Sequence, residues 1–114
     1  MRRVFVYAPL IQQRLSEFSN SEELSRQIEN EILNNPELGD VVPGTGGVRK
    51  FRLADETRSK GKRGGIRVLF LDLPHVAKTY LLFLLKKGEA SDIATDEKKA
   101  IRDLVIILKR ESKP

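Results

Sequence analysis

Two apolar runs, residues 66–73 (IRVLFLDL) and 77–86 (AKTYLLFLLK), stand next to each other with only Pro74-His75-Val76 between them. Both have strand length, and so short a connection joins them as an antiparallel hairpin. Neither alternates apolar with polar residues, so both are expected as inner strands covered on both faces. That demand sets the fold, because the remaining sequence has to supply flanking strands and helices for both surfaces. A chain of 114 residues is long enough to bury one such core without disulfides, and it holds no cysteine.

The flanking segments supply this cover. Residues 3–7 form a short β-branched and aromatic run that reads as a strand. Pro9 suits the first turn of a helix in which Leu10, Ile11, Leu15 and Phe18 recur at helical spacing. Asn20 and Glu23 have the spacing of a capping box. Leu24, Ile28 and Ile32 then form one face of an amphipathic helix that ends at Asn34-Asn35-Pro36. Residues 36–47 form a Gly/Pro-rich connection, and residues 48–53 alternate as a strand. Thr95 is placed to cap a last helix whose core stripe is Ile101, Leu104, Val105 and Leu108. The expected architecture is one α+β domain over residues 1–114, with a small, twisted, mostly antiparallel sheet, two N-terminal helices and one C-terminal helix.

Charge is unevenly placed. The chain carries 21 Lys and Arg against 16 Asp and Glu, a formal +5. Residues 1–48 sum to −3, residues 49–67 to +6 and residues 68–114 to +2. A concentrated basic segment points to a polyanionic partner, most simply nucleic acid. A lone histidine excludes a two-histidine mechanism within one chain and a multi-histidine metal site. The apolar stretch at residues 4–8 is too short for a signal peptide, and that at residues 80–85 is too short to span a bilayer. The expectation is a cytoplasmic protein with no membrane partner and no bound metal.

Within the basic segment, Lys50 and Arg52 share one face of their strand, while Arg49, Phe51 and Leu53 share the other. Arg67 interrupts an apolar strand, where a charge needs a carboxylate or a ligand phosphate. Asp72 lies on the opposite face by parity and suits that role poorly. Lys60-Gly61-Lys62-Arg63-Gly64-Gly65 is a basic, glycine-containing loop, and Lys86 and Lys87 end the following strand. Gly44-Thr45-Gly46-Gly47 reads as a tight turn rather than a phosphate loop, because no Gly-Lys-Ser/Thr follows and the next segment is a strand. His75 reads as a surface-turn residue, and Tyr80 as a packed aromatic. Aromatics make up 6% of the chain, too few for a broad base-stacking platform.

Three segments together carry a family likeness: Gly44-Thr45-Gly46-Gly47-Val48-Arg49-Lys50, Gly61-Lys62-Arg63-Gly64-Gly65-Ile66-Arg67-Val68 and Lys87-Gly88-Glu89-Ala90-Ser91-Asp92-Ile93. With Asn35-Pro36-Glu37-Leu38-Gly39-Asp40 before the glycine turn, the chain resembles the HigB-type branch of the RelE toxin superfamily along nearly its whole length. The resemblance implies a RelE-like fold and a toxin that enters the ribosomal A site and cuts mRNA there. It also implies a cognate antitoxin, often with a helix-turn-helix domain, through which alone operator DNA is bound. By the same resemblance Arg67 contacts the scissile phosphate, and Lys50 and Arg52 are the basic residues of the second strand. Lys62 and Arg63 match the basic loop, and Lys87 the lysine at the end of the fourth strand, with Lys86 beside it as a further RNA contact. Related toxins often have a tyrosine two residues before that lysine, and this chain has Leu85.

Cleavage of RNA without a metal or cofactor uses the 2′-hydroxyl as internal nucleophile. With one histidine available, proton transfer falls to lysine. A lysine among cations can lose its proton more readily, so Lys50 or Lys87 is the expected base. Arg67 then holds the phosphorane charge, and Arg52 with Lys62 positions flanking phosphates. Three other readings fit the same residues: a ParE-like gyrase poison, a non-catalytic RNA- or ribosome-binding protein, and an inactive relic of a toxin.

Overall fold

The computed structural model describes residues 2–53, 65–86 and 95–112. The two apolar runs form β4 (Ile66–Leu73) and β5 (Lys78–Leu85), which pair antiparallel across a single 3-10 turn at Pro74–Val76. They occupy the inside of a five-stranded sheet with β1 (Val4–Tyr7), β2 (Asp40–Val41) and β3 (Arg49–Leu53), in the order β1-β5-β4-β3-β2. Only β1 runs parallel to its neighbour, β5, and the other three pairs are antiparallel.

Helices cover both faces, as continuous apolar strands require. On one face α1 (Pro9–Leu15) and α2 (Ser21–Asn34) bring Ile11, Leu15, Leu24, Ile28 and Ile32 onto Phe51, Val68, Phe70, Leu81 and Leu84. On the other, α3 (Thr95–Glu111) sets Val105, with Ile101 and Leu108, against Val42, Val48, Leu69, Leu71, Leu82 and Phe83. The register slips between Leu69 and Phe70, where Leu82 is the extra residue of β5. Through this bulge two consecutive large residues, Leu82 and Phe83, serve the same core.

Several local expectations change. The first helix stops at Leu15, because Glu17 and Phe18 donate to carbonyls three residues back and the chain tightens out of the helix. Asn20 does precede α2, but the capping box does not form. Its φ of −107° and ψ of 37° lie outside the extended conformation that presents a cap oxygen to the first turn, and its Oδ1 is buried without a hydrogen-bond partner. Thr95 is the first residue of α3 rather than its cap. Leu104 is 37% exposed while Val105 is 1% exposed, so the stripe of α3 is narrower than the spacing implies. The glycine-rich connection also contains the short strand β2, too short to show periodicity.

Candidate nucleic-acid interface

The strand alternation and the register together assemble the basic cluster. In the β3–β4 pair Arg52 lies directly opposite Arg67, and Lys50 opposite Leu69. In the β4–β5 pair Arg67 lies opposite Leu85. Arg52, Arg67 and Leu85 therefore form one row across three strands, on the same face of the sheet as Leu69 and α3, with Lys50 one step along β3. Phe51 and Leu53 point into the opposite core, which fixes the outward parity of the two cations between and beside them. Arg52 is exposed, and Lys50 and Arg67 are half-buried.

β2 pairs only with Arg49 and Lys50. Beyond it, the side of β3 opens into a cleft of about 500 Å³ lined by Leu38, Gly39, Asp40, Lys50, Phe51, Arg52 and Arg67. Its size suits a single nucleotide. Asp40 enters this cleft directly across from Lys50 in the β2–β3 register. Two devices hold it there. The Arg49 guanidinium donates to the carbonyl oxygens of Glu37 (2.9 Å) and Gly39 (3.3 Å). Gly39, at φ 78°, seats its Cα so close to β3 that an added Cβ would lie 2.0 Å from the Lys50 carbonyl oxygen. Any other residue there would part the two strands.

The Gly44–Gly47 segment is a turn, as expected. The buried Thr45 hydroxyl donates to the Val42 carbonyl at 2.7 Å and accepts from the Val48 amide at 3.2 Å. With the Val42 amide donating to the Val48 carbonyl at 2.8 Å, this hydroxyl closes the β2–β3 hairpin. Lys109 donates to the Gly46 carbonyl at 2.6 Å, and a Cβ at Gly46 would sit 3.0 Å from Val105, so this turn is a seat for α3.

Asp72 is committed elsewhere. It accepts from Arg3 Nε and Nη2 at 2.7 and 3.1 Å and from the Thr79 hydroxyl at 2.7 Å. Its hydrogen bond raises the pKa of the Arg3 guanidinium further. This confirms that it does not serve Arg67. His75 lies past the far end of β4 from Arg67, about 20 Å away at strand rise, with Nε2 3.0 Å from the Ser112 carbonyl oxygen. Lys86 is not part of the cluster. It pairs with Glu17 at 2.6 Å and lies 5.0 Å over the Phe18 ring, on the side of α1 and α2. Lys62, Arg63 and Lys87 lie outside the described residues. Asp40 is the group that strand periodicity did not find. Its only signal is a register set by the tertiary pairing of a two-residue strand.

No family model matches the sequence. Among solved structures the chain is similar to the E. coli toxin RelE, a doubly substituted mutant in the free state. The TM-score is 0.61 with 18% identity, over 89% of this chain and 99% of that one. The chain therefore has the RelE fold.

Proposed function

We infer that this protein is a toxin endoribonuclease of the RelE kind, acting on mRNA in the ribosomal A site and restrained by a cognate antitoxin. The observation that carries this reading is the row of Arg52 and Arg67 with Lys50 beside a nucleotide-sized cleft, on a sheet of RelE fold. The sequence segments that resemble the HigB-type branch support the finer placement.

In this reading the 2′-oxygen attacks the adjacent phosphorus, the 2′-proton passes to a lysine amine, Lys50 or Lys87, and the 5′-oxygen leaves and takes up a proton from a second lysine or from rRNA. The products are a 2′,3′-cyclic phosphate and a free 5′-hydroxyl. Arg67, set in the middle of the row, donates bidentately to the phosphorane oxygens. Arg52 and the loop residues Lys62 and Arg63 hold neighbouring phosphates, which fixes the register of the strand without reading its sequence. Lys86 contributes only where RNA or rRNA draws it from Glu17. Geometry beyond these side chains is supplied by the ribosome.

Expression of the chain alone in translating cells, followed by mapping of mRNA 5′ ends, tests the reading. Cuts in phase with codons are expected, and Arg67→Ala abolishes them and the growth arrest while antitoxin binding persists. Growth arrest with intact mRNA and DNA-damage signalling identifies a ParE-like poison instead. A fully toxic Arg67→Ala protein overturns the assignment of the site.

A further inference from the structure

The cleft holds one group that phosphate binding does not need. Asp40 brings a negative charge into a surface that otherwise attracts anions, and it does so by construction. The Arg49 clamp, the bare Cα of Gly39 and the β2–β3 pairing all fix its position opposite Lys50. Asp40 is exposed where it lines the cleft, and among the described residues no hydrogen bond or ion pair engages its carboxylate. Leu38 and Phe51 also border the cleft, with the Phe51 ring turned into the opposite core. Cations for a phosphate and an acceptor-only group beside them are the parts of a nucleotide site that reads its base.

We propose that Asp40 is the base-selecting residue of this cleft and that it selects guanine. An ionised carboxylate only accepts hydrogen bonds. Guanine is the one common base whose Watson–Crick edge places two donors, N1–H and the N2 amino group, next to each other, so one carboxylate takes both. Adenine and cytosine set a single amino donor beside a ring acceptor. Uracil sets one N–H between two carbonyl oxygens, which repel a carboxylate. Bases of single-stranded RNA are free to be read on this edge. The inference rests on the RNA-cleavage reading of the same cleft, and it adds the base that the cleft takes.

Binding to the intact chain tests it independently of cleavage. The probes are 2′-O-methyl oligouridylates, which cannot be cut, carrying one central guanosine, adenosine, cytidine or inosine, with the all-uridine strand as reference. The wild-type protein is expected to favour the guanosine strand by about tenfold, the discrimination of a good bidentate pair. Inosine, which lacks the N2 amino group, loses most of that preference. Asp40→Ala removes it, Asp40→Asn removes most of it by putting a donor where an acceptor is needed, and Asp40→Glu retains part of it. Equal affinity for all strands, or a guanosine preference that survives Asp40→Ala, overturns the proposal. Guanosine selection by Asp40 without cuts in cellular mRNA supports it and discards cleavage alone.

Discussion

At the scale of single residues, parity along a strand is the strongest positional statement a sequence makes. It places Lys50 and Arg52 on one side of β3 and sets Arg67 apart from Asp72. Parity says nothing about which distant side chain meets a given group. Tyr7 reads as a strand residue, yet its hydroxyl donates to the Glu29 carboxylate of α2. Burial, followed by that hydrogen bond, pushes the Tyr7 phenol well above its ordinary value of 10.0. The protonated form is thus favoured by folding. Its contribution to stability is complete below about pH 10 and declines as pH rises toward the folded value. Urea unfolding of wild type and Tyr7→Phe is expected to show a more stable wild type at neutral pH. The gap narrows above about pH 10, where only the tyrosine protein has this proton to lose.

At the scale of elements, continuous apolar runs predict inner strands, and β4 and β5 are inner strands. The edges are less legible. β1 is held as a four-residue parallel strand by its pairing with β5 and by the ion pair that Arg3, just before it, makes with Asp72. Both side chains of that pair are 11% exposed, and Asp72 also binds Thr79, its cross-strand partner on β5. Asp72→Ala leaves a mostly buried guanidinium without its carboxylate. We expect a loss of about 3 kcal/mol in chemical denaturation, with hydrogen-exchange protection falling first in β1. An unchanged midpoint would show that Arg3 is solvated as well as it is paired. The short strand β2 was beyond sequence reading for a related reason. Two residues carry no period, and their strand character comes from the partner, not from themselves.

At the scale of the molecule, the two faces of the sheet differ in charge. The acidic residues Glu22, Glu23, Glu29 and Glu31 belong to α2 on one face. Lys50, Arg52 and Arg67 share the other face with α3, whose basic residues Lys98, Lys99, Arg102, Lys109 and Arg110 are interspersed with Asp96, Glu97, Asp103 and Glu111. A net charge of +5 understates the local density of positive charge at Lys50, Arg52 and Arg67, because acidic residues elsewhere offset it. Single-stranded RNA binding should therefore weaken steeply with salt. Loss of one phosphate contact in Arg52→Ala is expected to reduce the log–log slope by about 0.7. A slope that does not change places Arg52 off the RNA path. No helix among the described residues is long and apolar enough to cross a membrane.

The sequence by itself determined the central hairpin, the helices that cover it and the strand faces that carry Lys50, Arg52 and Arg67. Each follows from a local period or from the local cost of leaving apolar surface or charge unmatched. Tertiary structure decided the pairings. Arg52 opposite Arg67, Leu85 completing that row, Asp40 across from Lys50, and Asp72 given to Arg3 all depend on register between segments far apart in the chain. Register is set by the joint packing of both cores and by the seating of Gly39 on β3, and no window of neighbouring residues contains that information.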